Sequence, residues 1–285
     1  MEKAHRKYRY WSLLLLLVCF SCKEKNTPQV KTDVELLHHK IQKPEFQSIL
    51  DSADVSGAIL IYDFKADMYY SNDFKWANTG QLPASTFKIA NSIIGLETGV
   101  IESDSTIFKW DGESKPIKSW EQDLVLKDAF QFSCVPCYQK VARNIGAERM
   151  NNNIKKLNYG SLKIDSTNID SFWLRGESRI TQIQQIDFLK RFYERKLPIS
   201  ERTQKIMKTI LLVNETDQYK LSGKSGLSNE NENYNGWYVG YIEVKDNTYL
   251  FATNIVPNKD FDFNSFVPTR KKVTQDAFKA LNLLN

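Results

Sequence analysis

Histidine is almost missing from this chain. Three occur among 285 residues, His5, His38 and His39, and all are N-terminal. A Ser-His-Asp hydrolase needs an imidazole beside its nucleophile, so that arrangement is disfavoured for any site built later in the chain. Cysteine is scarce too, at four residues. Cys134 and Cys137 have the C-x-x-C spacing of redox and metal sites. A second pair and a nearby histidine are both lacking, so the reading adopted is two small apolar residues in a buried helix. Excess charge is lacking as well. The formal net charge is +5, and Lys3, Arg6, Lys7 and Arg9 against Glu2 place +3 of it in the first 22 residues. The remainder shows no basic stripe, which argues against a nucleic-acid partner. There is no internal repeat and no low-complexity tract, and no signal calls for a metal or nucleotide cofactor.

What is present begins with a targeting segment. A basic stretch, Met1 to Arg9, precedes an apolar run from Tyr10 to Phe20 with leucines at 13–17. The run is too short to span a membrane comfortably and suits an export signal. It ends at Ser21-Cys22, and polar residues 23–32 follow as a tether. A small residue before a cysteine here resembles a bacterial lipoprotein cleavage site, although Cys19 holds a position where leucine is usual. The expectation is a signal peptide over 1–22, lipidation of Cys22, and an exported, periplasmic protein anchored to the membrane only by lipid. Residues 33–285 are then one domain, long enough for a sizeable core.

Along that domain, Val34 to Leu50 has helical spacing at its ends. Ser56 to Asp63 reads as a buried strand and Met68 to Ser71 as its hairpin partner. Leu124 to Ile145 is helical in pattern with a break at Pro136. Glu148 to Leu157, Thr181 to Arg195 and Ser200 to Leu212 are further helices, the last two with Thr and Ser caps. Strands follow at Tyr219 to Gly226, Trp237 to Val244 and Thr248 to Ile255, and a last helix at about Thr269 to Leu284. Strands at both ends with helices between predict an α+β fold: an antiparallel sheet flanked by helices, with a helical subdomain.

The chemistry centres on Pro83-Ala84-Ser85-Thr86-Phe87-Lys88. Pro83 and Ser85 are helix-start signals, so Ser85 and Lys88, three apart, share one face of a first turn. A serine needs a base to become a nucleophile, and a lysine becomes a base only in a dry setting. A helix start also offers free N–H groups to an oxyanion. S-x-x-K alone recurs by chance. Three further motifs follow it in order: Ser133-Cys134-Val135, Tyr159-Gly160-Ser161 and Lys224-Ser225-Gly226.

This ordered set resembles the class D serine β-lactamases, the oxacillinase group of the penicillin-recognising serine enzymes. Further matches are Phe108-Lys109-Trp110-Asp111-Gly112, Ser171-Phe172-Trp173-Leu174 and Asn235-Gly236-Trp237-Tyr238-Val239-Gly240. One departure is Ser161, where the family carries asparagine, which differs in reach and hydrogen-bonding capacity.

The resemblance implies a hydrolase that opens β-lactams, oxacillin-type penicillins included, and confers resistance to them. It implies that Ser85 forms the acyl-enzyme, with an oxyanion hole from the backbone N–H groups of Ser85 and Leu227. Lys88, carbamylated by carbon dioxide, would be the general base, and no other cofactor is implied. Val135, Phe87 and Leu174 would keep that lysine dry, and Trp173 would hold the carbamate. Ser133 would relay a proton. Lys224, Ser225, Gly226 and Arg270 would bind the substrate, Ser225 and Arg270 taking its carboxylate. Two rival readings are a penicillin-binding protein and a β-lactam sensor domain, either of which would be acylated without turnover.

Overall fold

A computed structural model describes residues 39–258 and 262–284. The signal, tether and Cys22 readings lie outside the described residues. The sheet is organised around β2, Val55–Asp63, whose residues Ala58–Asp63 are all buried. Such a continuous apolar run marks a strand covered on both faces. β2 pairs antiparallel with β3, Met68–Ser71, and on its other edge with β9, Asn247–Pro257. β8, Asn233–Val244, β7, Tyr219–Glu230, and β6, Leu212–Glu215, continue the antiparallel order. β1, Lys40–Gln42, closes the opposite edge, giving the order β1-β3-β2-β9-β8-β7-β6, while β4, Ile107–Phe108, and β5, Leu124–Val125, pair in a separate two-stranded sheet. The first and last thirds of the domain thus form one sheet, as expected.

β1 departs from the antiparallel expectation and runs parallel to β3, with Lys40 opposite Tyr69. It is joined to β2 through helix α1, Pro44–Ser52, not through a hairpin turn, so no tight turn dictates its direction. The helix expected over Val34 to Leu50 is corrected accordingly. Its described part is a strand, then a helix that begins with Pro44 in the first turn, where the missing N–H costs nothing.

Alternation of side chains assigns the two sheet faces. Ile59, Ile61, Tyr238, Phe251 and Ile255 pack with Phe46 and Leu50 of α1 and with Phe266, Val273 and Phe278 of a C-terminal helix. That helix runs Phe263–Ala280, earlier than expected, because Asp262 caps it by accepting from Asn264 and Ser265 N–H. The opposite face carries helix Gln182–Tyr193. A Thr181–Gln184 capping box starts it, and Gln182 Nε2 donates to Ala58 O at 2.8 Å. Between β3 and β6 the chain also forms a four-residue helix at Phe74–Ala77 and helices Lys88–Glu97, Leu126–Gln131, Val135–Ile145, Ala147–Leu157 and Glu201–Leu211. In chain order the helices after α1 are therefore α2 (Phe74–Ala77), α3 (Lys88–Glu97), α4 (Leu126–Gln131), α5 (Val135–Ile145), α6 (Ala147–Leu157), α7 (Gln182–Tyr193), α8 (Glu201–Leu211) and α9 (Phe263–Ala280).

Two expectations in the helical layer are corrected. The break in the Leu124–Ile145 pattern falls at Phe132–Cys134, not at Pro136. Leu124–Val125 is a short strand, and Ser133 turns the chain with φ 56°. Pro136 lies in the first turn of α5, where proline is tolerated. Cys134 and Cys137 are not two free apolar residues; they are joined by a disulfide, with Cα atoms 5.4 Å apart. Three-residue spacing across a helix start brings the two side chains within bridging range.

Candidate active site

Ser85 lies in a 3-10 turn, Ala84–Phe87, that runs directly into α3. Side chains three apart eclipse in that geometry, which stacks Lys88 over Ser85 more closely than an α-helical turn would. Lys88 Nζ donates to Ser85 Oγ at 2.9 Å. Every residue of α3 from Lys88 to Leu96 is buried, so the lysine enters the protein interior with its helix. Lys88 itself has 0% exposure. Burial alone pushes its pKa down to about 7, because an ammonium loses its hydration there. Its Nζ lies 5.2 Å from the Tyr138 ring centroid.

Aromatic side chains make the dry wall. Phe87 stacks on Trp173 with ring centroids 5.5 Å apart and meets Phe172 edge-on at 4.8 Å. Trp173 is fully buried, and its Nε1 has no hydrogen-bond partner. Leaving a buried donor unpaired costs on the order of 1–3 kcal/mol, so an acceptor placed beside this N–H would be stabilised. Leu174 follows it, half-buried. Ala84 N–H donates to Trp173 O at 2.8 Å, which ties the Ser85 turn to the tryptophan segment.

The second serine comes from the α4–α5 break. Ser133 holds a left-handed φ, a conformation costing a non-glycine residue roughly 1–3 kcal/mol. In that position its Oγ accepts from Lys224 Nζ at 3.0 Å. Lys224, on β7, also donates to Ser225 O at 2.9 Å. Burial, reinforced by the positive charges of Lys88, Arg270 and Lys271, holds its pKa well below the lysine range. Ser85, Lys88, Ser133 and Lys224 thus form two bonded serine–lysine pairs, near enough that the charge of Lys88 acts on Lys224.

Gly226 brings β7 against the Ser85 turn. A Cβ there would lie 3.2 Å from Ser85 N and 3.2 Å from the Ala84 Cβ. Leu227, half-buried, pairs with Gly236 of β8, and half-buried Ser225 with Tyr238. Gly236 has its own use, since a Cβ would stand 2.8 Å from Arg270 Cδ. The arginine crosses β8 through that gap, bonds Gly226 O through Nη1, and donates from Nε to Val267 O at 2.9 Å. It is buried, which lowers its pKa to about 10. Val135 is half-buried at the first position of α5, directly after the Ser133–Cys134 turn.

Ser161 is exposed, and its backbone makes a two-way bridge with Arg179 at 2.8 Å in each direction. The position relies on main-chain bonds, so serine in place of asparagine leaves the loop intact. His39 bonds Asp67 O, outside the serine–lysine group, and among the described residues no group of side chains could hold a metal ion. Sequence reasoning quoted Asn235 only as the start of a matched strand, without a role, and missed Asn254. Asn235 Nδ2 and Trp237 Nε1 both donate to Leu82 O, at 2.9 and 2.8 Å, and Asn254 Nδ2 donates to Asn235 Oδ1 at 2.6 Å. A buried asparagine on a strand, next to a matched tryptophan, was the available signal.

A profile described as Transpeptidase, the penicillin binding protein transpeptidase domain, matches residues 53–281. β-Lactamase OXA-10 of Pseudomonas aeruginosa is 40% identical over 222 residues, covering 77% of this chain and 82% of the relative. A class D β-lactamase structure from Nostoc has a TM-score of 0.80 and 41% identity, covering 84% of this chain and 99% of that one. The chain belongs to the class D β-lactamase family. It is a β-lactam hydrolase of mixed α+β fold with a central sheet flanked by helices. Regulatory protein BlaR1 of Bacillus licheniformis is a more distant relative, 30% identical over 220 residues; the match covers 77% of this chain and 36% of BlaR1.

In this β-lactamase Gly226→Ala is expected to push on the Ser85 turn. We expect kcat/KM for a chromogenic cephalosporin to fall about 10- to 100-fold with the fold retained by circular dichroism. An unchanged kcat/KM would contradict the close-approach role.

Proposed function

We propose that this β-lactamase hydrolyses penicillins, oxacillin-type compounds included, through a Ser85 acyl-enzyme, with Lys88 carried as its carbamate, and that it confers resistance to them. The observation that carries this reading is the lysine amine itself: fully buried, shifted by burial alone to about 7, and 2.9 Å from a serine hydroxyl. A neutral amine can add carbon dioxide, whereas an ammonium cannot. The surroundings fit the adduct. Phe87 and Trp173 exclude water beside the lysine, and the unpaired Trp173 Nε1 is a donor in want of an acceptor. Val135 and Leu174 extend that apolar lining.

When bound, carbon dioxide supplies a carboxylate on the lysine stem, a general base suited to both half-reactions. Ser85 Oγ gives its proton to the Lys88 side chain, attacks the lactam carbonyl and becomes the acylated oxygen as the ring C–N bond breaks; water then attacks the ester carbonyl and releases the opened acid, with Ser85 Oγ reprotonated. The backbone N–H groups of Ser85 and Leu227 steady the oxyanion, consistent with the close seat of Gly226. Ser133, already bonded to Lys224, passes a proton to the lactam nitrogen as the ring opens. Lys224, Ser225 and Arg270 receive the substrate carboxylate, Arg270 also bracing Gly226. That carboxylate offsets the burial and repulsion acting on Lys224 and favours its charged form.

Export belongs to the same proposal: a signal over residues 1–22 and a lipid on Cys22 would hold the enzyme at an envelope membrane, in the periplasm. No described helix is long and apolar enough to cross a membrane. Cys22→Ala should move the protein from the membrane to the soluble fraction; unchanged fractionation would rule the anchor out.

Turnover of ampicillin and oxacillin should rise with added bicarbonate. It should fall as pH drops below about 7, because protonation of Lys88 removes the form that accepts carbon dioxide. Lys88→Ala should acylate but retain the acyl group in mass spectrometry. Rapid turnover by Lys88→Ala would overturn the base assignment. A single stoichiometric burst by the unaltered chain would instead indicate a penicillin-binding protein or a β-lactam sensor.

A further inference from the structure

The Cys134–Cys137 bridge has no part in the chemistry described above, yet it lies between Ser133, which does, and Tyr138, which borders Lys88. Ser133 precedes it and bonds Lys224 at 3.0 Å. Tyr138 follows it, and its ring faces Lys88 Nζ at 5.2 Å. Tyr138 is further locked to α3, its hydroxyl 2.7 Å from Ser92 Oγ and its carbonyl accepting from Asn91 Nδ2 at 3.3 Å. The four bridged residues therefore connect both serine–lysine pairs.

The bridge also bears on a strained turn. Cys134 is the N-cap of α5, with non-helical backbone, and Ser133 before it holds φ 56°. Tying residue 134 to residue 137 fixes the N-cap immediately after the left-handed serine. The tie adds to main-chain bonds that already hold the turn, Ser133 N–H to Phe130 O at 3.1 Å and Cys134 N–H to Ala129 O at 2.9 Å, and removing it lowers the cost of Ser133 relaxing toward negative φ and away from Lys224.

The two sulfurs are not equivalent. Cys134 is buried at 1% exposure, whereas Cys137 is half-buried. Outside them lies a cavity of about 200 Å³ whose lining includes Trp110, Trp120, Pro136 and both cysteines. Cys137 N–H donates to Cys134 Sγ at 3.2 Å, at the start of an eleven-residue helix. A helix N-terminus stabilises a thiolate, so Cys134 is the better leaving group and Cys137 the sulfur open to attack.

We propose that Cys134–Cys137 is a thiol–disulfide exchange site, reached from this cavity by a dithiol reductant, whose oxidised form holds Ser133 in its working position. One thiolate of the dithiol attacks Cys137 Sγ, the S–S bond breaks, and its electron pair leaves on Cys134 Sγ, which then takes a proton. The second thiolate of the dithiol attacks the resulting mixed disulfide and releases Cys137, which is protonated in turn. Two electrons pass to the bridge, and the reductant departs as its own disulfide. Reduction lowers turnover, and reoxidation restores it. Cys134 and Cys137 act here as positioning residues, through Ser133.

The test uses the full chain under native conditions, equilibrated in graded mixtures of reduced and oxidised dithiothreitol. Thiols are trapped with N-ethylmaleimide and mapped by peptide mass, while turnover of a chromogenic cephalosporin is followed in parallel. The expected result is labelling of both Cys134 and Cys137 with near-ultraviolet circular dichroism retained. In step with it, kcat should drop about ten-fold, KM should move less than about two-fold, and both should recover on reoxidation. Cys134→Ala/Cys137→Ala should sit at the reduced level and ignore the reductant; if that variant does not fold, the titration of the unaltered chain still decides. Labelling that appears only as the fold is lost, or labelling with kcat unchanged or raised, would overturn the proposal.

Discussion

Everything at this site depends on keeping one lysine amine out of water. Lys88 is fully buried, and burial alone accounts for its lowered pKa. No acidic side chain is among the causes of that shift, so nothing restores the charged form. The consequence is an amine with a substantial neutral fraction near pH 7, within hydrogen-bond distance of a serine hydroxyl. An exposed lysine at the same spacing would stay an ammonium and would be a solvated cap at the end of a helix.

The rest of the structure maintains that dryness and aims groups at it. α3 is buried all round, so its first residue is carried inward. Phe87, Phe172 and Trp173 close the lysine's side of the site. The Ser85 turn is held from two directions. Trp173 O receives the Ala84 N–H, and Leu82 O receives donors from Asn235 and Trp237 of β8. Gly226 and Gly236 then do by omission what side chains cannot. One lets β7 approach Ser85, and the other lets Arg270 cross β8 to the Gly226 carbonyl. Strands from the end of the chain thereby fix a turn near its beginning, which is why the sheet must unite the two.

Much of this was legible in the residues. The buried run of β2, the capped helices at Thr181 and Ser200 and the strands of the last third follow from local patterning. The S-x-x-K spacing placed Ser85 and Lys88 together because three-residue neighbours meet in any tight helical turn. The remainder depended on contacts between distant segments. Pro136 suggested a break in the helical pattern, but proline is accepted in a first turn, and the real break at Ser133 is stabilised by Lys224 from β7. The C-x-x-C pair looked inert because its spacing alone does not say whether the two sulfurs face each other across a helix start. The matched strand drew notice to Asn235, but its partners Leu82 and Asn254 lie far from it in the chain, and no local pattern pairs them.

The measurement that bears most directly on the dry lysine is carbon-13 nuclear magnetic resonance of the protein equilibrated with labelled bicarbonate. The account predicts one carbamate carbonyl resonance that is absent in Lys88→Ala and fades as pH falls below about 7, where the amine becomes protonated. A chain that turns over penicillins with no Lys88-dependent resonance would contradict it.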